Sequence, residues 1–254
     1  MIRRPAGSDW LLISQVEHAR IAGEVADHWP DPMGDASLAA PLRHAIRNHD
    51  NGWSTWEQAP RIDPDTGWAR NFTEMPTVDA CAIWSHSIAD CANHSPWGGL
   101  WVSRHFCWLG ERGRQHVTDA PSRQAFESFL DTQQTLQARW LAQLALERGE
   151  SHARNSGEIG FRLVQFFDRL SLWLCCEPET SPKPLEFPDG RIFEFAPRSP
   201  TEIGVRPWAF NVSILELSVP VARLPMQPYA DDAALQAALA HAPRETLRWT
   251  LAGA

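Results

Sequence analysis

Lysine is nearly absent from this chain: Lys183 is the only one, and the remaining basic charge is carried by arginine. That argues against Schiff-base chemistry and against a lysine grip on phosphate in the main body. The five cysteines, at 81, 91, 107, 175 and 176, form no CxxC pair, so a thiolate zinc knuckle is not indicated. Their odd number, with no secretion signal, fits reduced thiols in the cytoplasm. No apolar run approaches the roughly 18 residues of a membrane span, and the one in MIRRPAGSDWLLIS is too short for a signal peptide. Gly-rich phosphate loops, HExxH and GxSxG are all missing. A net charge of −8 and a pI near 5.7 lack the basic face that a nucleic acid needs. The expected partner is therefore a small-molecule substrate, with no nucleic acid and no membrane.

What is present is enough for a full core: 254 residues, of which 43% are hydrophobic. Thirteen tryptophans, dense from Trp53 through Trp108, are expected mainly in core and lid packing. Residues 13–29 predict an amphipathic helix, with His18, Ile21, Ala22, Val25 and Trp29 on one stripe. A second helix over 36–50 carries Leu38, Leu42, Ala45, Ile46 and His49, and Asn51-Gly52 ends it. Residues 57–76 read as a long ordered loop over the site. Helices follow at 77–94, 97–109, 121–148 and 157–176. A proline-rich connector, EPETSPKP, covers 177–184. Beyond it the period falls from 3.6 to 2, with a hairpin turning at Pro188-Asp189-Gly190, strands at 208–219 and 247–251, and a short helix at 231–241. The expected fold is mainly α: a helical body over 1–176 with a smaller β-rich C-terminal lobe, 177–254, packed on it.

The candidate chemistry lies in RNHDNGW. His49-Asp50 ends an apolar-periodic segment, His18 lies on an earlier helix, and Asp168 lies on an inward face of a later one. A single histidine on an apolar stripe is more often packed core than ligand, and an arginine could satisfy Asp168 alone. The four together bring inward polar groups from three helices, and one cation satisfies all of them. His86 and His105 are candidates for a second ion. His94, four residues after Asp90, competes with them.

The order His18…His49-Asp50…His86…His105…Asp168 resembles the HD-domain superfamily of helical metal enzymes. The resemblance implies His18, His49, Asp50 and Asp168 as ligands of one metal. In the dinuclear branch it implies His86 and His105 for a second, with Asp50 bridging. That branch includes cyclic-dinucleotide phosphodiesterases and diiron oxygenases. Relatives with HDxGK place a lysine on the substrate; here Trp53 stands at that position, with Arg104 or Arg169 as possible replacements. A closer local resemblance, carried by Q-x2-HA (15–19), HDxGWxxW (49–56), VSRH (102–105) and RPWAF (206–210), is to a bacterial family known only as a domain of unknown function.

The expected function is a metal-dependent hydrolase of a phosphoester, with Asp50 and Arg104 as catalytic residues. One or two divalent ions would activate a water, iron or manganese being favoured and zinc possible. The alternatives are a diiron oxygenase on the same ligands and a non-catalytic, metal-stabilised binding protein. Substrate and oligomeric state are not legible.

Overall fold

The computed structural model describes residues 1–176 and 181–254. The chain opens with a hairpin, β1 (Ile2–Ala6) and β2 (Asp9–Ile13), then runs through seven helices. These are α1 (Gln15–Asp27), α2 (Ala36–Asn48), α3 (Trp53–Gln58), α4 (Thr77–His94), α5 (Pro96–Arg114), α6 (Ala120–Arg148) and α7 (Glu150–Cys176). Strands β3 (Lys183–Glu186), β4 (Ile192–Ser199), β5 (Glu202–Arg206) and β6 (Ile214–Pro225) follow, then α8 (Asp232–His241) and β7 (Arg244–Gly253). Residues 177–180, the first half of the expected connector, lie outside the described residues. Among the described residues no helix is long and apolar enough to cross a membrane.

The helix starts are written locally. Ser14, Asp35, Ser95 and Asp119 each accept a backbone N–H of the first turn that follows them, satisfying donors that have no partner inside the helix.

The expectation of a mainly α bundle with a small lobe is corrected by the sheet. Seven strands form one mixed sheet in the order β1-β2-β6-β7-β5-β4-β3, with β5 and β7 parallel and every other neighbour antiparallel. The fold is a mixed α/β architecture whose sheet recruits the N-terminal hairpin. The hairpin escaped the period-2 pattern because an arginine takes a core-facing place in β1. Ile2 and Arg4 are both buried, and the Arg4 guanidinium donates to the carbonyl of Leu174 at 3.1 Å. That carbonyl lies in the last turn of α7, where carbonyls lack helical partners. Pro5 is tolerated because β1 is an edge strand. A second difference lies at 208–213, expected as strand: the Trp208 indole donates to the Val212 carbonyl at 2.8 Å, closing a loop before β6 begins at Ile214.

Helices and sheet share one core. Trp29, just past α1, packs against Phe166 and Phe167 of α7, Phe187 and Phe193 at the β3–β4 hairpin, and Phe210, with ring centroids 4.8 to 5.6 Å apart. Such aromatic pairs add about 0.5–1.5 kcal/mol each beyond the area they bury. This core fixes α1 against α7 and so sets the spacing of the polar groups that face each other between them.

Candidate metal centre

Four buried groups from three parts of the chain meet on the inner side of the helices. His18 comes from the second turn of α1, His49 and Asp50 from the turn closing α2, and Asp168 from α7. All four are buried, at 0, 1, 6 and 8% exposure respectively. The turn after α2 is pressed onto α4: the Gly52 N–H donates to Ser87 Oγ at 2.9 Å. A Cβ at Gly52 would lie 2.0 Å from the Ile83 carbonyl oxygen, so only glycine allows this approach. Asn51 extends the anchor, donating to Asp90 at 2.8 Å.

The hydrogen bonds fix which atoms face the centre. His49 Nδ1 lies 2.7 Å from the Ile46 carbonyl oxygen, which can only accept, so Nδ1 carries a proton. His18 Nδ1 lies 2.8 Å from Ser171 Oγ. That hydroxyl spends its own proton on the Asp168 carbonyl at 3.0 Å, so it accepts from His18. Both imidazoles therefore turn Nε2 inward. His18 Nε2 is 2.9 Å from Asp50 Oδ2 and 3.6 Å from Asp168 Oδ1. His49 Nε2 is 3.2 Å from Asp168 Oδ1 and 3.6 Å from Asp50 Oδ2. Neutral imidazoles would leave nothing but lone pairs facing one another, an arrangement that demands an added proton or a cation.

A divalent cation fits this set. Ligand atoms about 2.1 Å from one ion, at tetrahedral or octahedral angles, stand roughly 3.0–3.4 Å apart, and the observed separations bracket that range. Ligand atoms of His18, His49 and Asp168 all lie within 4.8 Å of one another. Two carboxylates balance a 2+ charge, and nitrogen and oxygen ligands without thiolate suit iron, manganese or zinc.

The protonation balance carries the same message. Burial by itself lowers the pKa of His49, yet the charge of Asp50 and the hydrogen bond and charge of Asp168 outweigh it and raise the group to about 9. Burial pushes Asp168 upward, and the hydrogen bond from His49 with the charges of His105, His49 and His18 brings it down to about 2. A proton on His49 is thus the positive charge that the two buried carboxylates favour.

His105, on α5, borders the cluster without joining it as closely. Its Nε2 is 3.9 Å from Asp168 Oδ2, and its Nδ1 has no hydrogen-bond partner among the described residues. Burial lowers its pKa, with the charges of His49 and His18 acting the same way and those of Asp168 and Asp50 opposing.

Other sequence candidates lie elsewhere. His86 is exposed and lines a separate surface depression with Arg61 and Asp79. It sits next to Ser87, whose contact with Gly52 turns His86 outward. Arg104 reaches away to Glu158 at 3.3 Å, and Arg169 is exposed. His94 stacks on His44, ring centroids 3.7 Å apart, and Asp90 is held by Asn51.

The cluster closes one end of a cavity of about 400 Å³. Its walls are aromatic and apolar: Trp53, Phe72, Met75, Trp84, Phe106 and Phe126. His18, Asp50, His105 and Asp168 also line it, and among the described residues no lysine or arginine does. Trp53, which stands where HDxGK relatives carry lysine, is thus cavity wall, and the loop before α4 supplies Phe72, Thr73 and Met75. Sequence reasoning missed Ser171 and Gln15 as members of the site. The i, i+3 spacing of Asp168 and Ser171 was the signal for the first; the turn at Ser14 that starts α1 was the signal for the second.

No match is found among curated proteins or among solved structures. A family model described as "Protein of unknown function (DUF3891)" matches residues 1–226, a span that includes His18, His49, Asp50, His105 and Asp168, and the chain belongs to that family.

Proposed function

We propose that this protein is a metal-dependent hydrolase of an ester, with one divalent ion held by His18, His49, Asp50 and Asp168. The observation that carries this reading is the facing of two inward Nε2 atoms and two buried carboxylates at donor spacings of 2.9 to 3.6 Å. The ligand order also resembles the mononuclear members of the HD-domain superfamily. A bound ion would supply Lewis acidity, polarising the ester oxygen and lowering the pKa of a neighbouring water to near 7.

The rest of the chemistry belongs to the protein. Ser171 and the Ile46 carbonyl hold His18 and His49 in the tautomers that turn Nε2 inward. His105, whose pKa burial lowers, stands on the cavity wall, and its Nδ1 has no hydrogen-bond partner among the described residues. With a lowered pKa the ring is suited to accept a proton from the attacking water and then, as imidazolium, to pass it to the leaving oxygen. The aromatic walls exclude water from the ester and hold its apolar part. Arg104, engaged with Glu158, has no role in this scheme, and neither has His86, so a single ion is favoured over the pair that a diiron oxygenase needs.

The test is turnover of 4-nitrophenyl acetate, 4-nitrophenyl phosphate and bis(4-nitrophenyl) phosphate by manganese-loaded protein under nitrogen, beside oxygen uptake by the iron-loaded form. Metal-dependent release of nitrophenol, lost in Asp168→Ala and reduced in His105→Ala, is expected. Oxygen uptake without ester cleavage would overturn the hydrolytic reading, and silence in both assays with metal bound would favour a non-catalytic protein.

A further inference from the structure

Gln15 lines the cavity, is 2% exposed, and its Oε1 has no hydrogen-bond partner among the described residues. A buried amide oxygen without a donor is destabilising, and the backbone around Gln15 gives it no freedom to leave. Ser14 accepts the Val16 N–H, while Glu57 takes the Ser14 hydroxyl and the Gln15 N–H at 2.5 and 2.7 Å. The residue is pinned at the start of α1, one turn before His18.

The remaining wall decides what reaches it. Among the described residues the lining carries two carboxylates, two imidazoles and no lysine or arginine. A divalent ion on Asp50 and Asp168 would bring the local charge to zero, and its removal leaves the carboxylates in excess. In neither state is positive charge left over for a dianion. Aromatic walls around an uncompensated anion are costly, whereas an apolar ring gains by burial there.

Resting on the hydrolytic reading of this site, we infer that the substrate is an uncharged aromatic or similarly apolar ester bearing a hydrogen-bond donor, a hydroxyl or amide N–H, that Gln15 Oε1 accepts. Gln15 is a specificity-determining residue: it discriminates a donor-bearing ligand from its capped analogue, because the capped analogue leaves Oε1 buried and unpaired. The cavity volume of about 400 Å³ accommodates a bicyclic ring.

The experiment is a binding titration on chelator-treated protein, read by tryptophan fluorescence, so that its outcome does not depend on metal or turnover. The probes are 1-naphthol, 1-methoxynaphthalene and 1-naphthyl phosphate. Wild type is expected to bind 1-naphthol about tenfold more tightly than 1-methoxynaphthalene, the worth of one hydrogen bond, and to bind the phosphate weakest. In Gln15→Leu the tenfold preference collapses while 1-methoxynaphthalene binding is retained, and the melting temperature rises because an unpaired polar group has left the interior. Ala80→Phe, on the cavity wall, weakens both neutral probes. Equal binding of the two neutral probes to wild type, an unchanged preference in Gln15→Leu, or tightest binding of 1-naphthyl phosphate would overturn the inference. The wild-type comparison decides even if a variant fails to fold. Donor preference without metal-dependent hydrolysis would instead count against the hydrolase reading alone.

Discussion

Ser171 Oγ donates a hydrogen bond to the Asp168 backbone carbonyl and accepts one from His18 Nδ1–H at 2.8 Å. One hydroxyl thus couples the orientation of a proposed ligand on α1 to the helix that carries another. Outer partners of this kind fix the tautomer and ring position of a metal-binding histidine, and their loss costs roughly 10- to 100-fold in metal affinity. Ser171→Ala is therefore expected to weaken manganese binding by that factor in a calorimetric titration while the far-ultraviolet circular dichroism stays unchanged. Unaltered affinity would mean that His18 needs no such support.

The metal-free protein should lose stability toward alkaline pH. His49 has a folded-state pKa of about 9, above the roughly 6.5 of an unfolded histidine. Its contribution is complete below that lower value and is lost as pH rises through about 9. Asp168, held down to about 2, contributes above the usual carboxylate range and is lost only as pH falls through that value. A metal competes with the proton on His49, so its affinity rises over the same alkaline window. Calorimetric scans from pH 6.5 to 9 should show a falling melting temperature with chelator and a widening gap between chelated and manganese-loaded protein. A gap that narrows with pH would contradict this account.

Much of the centre was legible because helical periodicity reports facing. His18 stands on its apolar stripe, three and four positions before Ile21 and Ala22, Asp168 stands one after Phe167 and four after Val164, and both are buried. His86 shows the limit of that signal. It lay at the border of its stripe, where one residue is a rotation of about 100°, and the contact of Gly52 with Ile83 and Ser87 decided which side faced in. The sheet was half legible. The β3–β4 hairpin, β6 and β7 were legible in part, and β5 was missed because it buries Ile203, Gly204 and Val205 in a row. Arg4 occupies an inward position that reads as surface until the Leu174 carbonyl is beside it. Gln15 stood in the motif Q-x2-HA and at the turn that starts α1, but neither signal shows that the cavity leaves its Oε1 unpaired.

The N-terminal hairpin gives the fold a direct test. In a helical body it would be a dispensable arm; here β2 covers the edge of β6, and Ile2, Leu11 and Ile13 are buried in the common core. Replacing Leu11 and Ile13 with alanine should cost about 2–5 kcal/mol each, measured by urea unfolding. Losses below ~1 kcal/mol would argue that the hairpin is not part of the core.

The account stands or falls on whether His18, His49, Asp50 and Asp168 hold an ion. The measurement is the metal content of untagged protein purified without chelator and reloaded with manganese or iron, set beside Asp168→Ala and His86→Ala. A single ion per chain in the wild type and in His86→Ala, with none in Asp168→Ala, is the predicted result. Protein that binds no metal under any loading condition, or that keeps its ion in Asp168→Ala, would contradict the central claim.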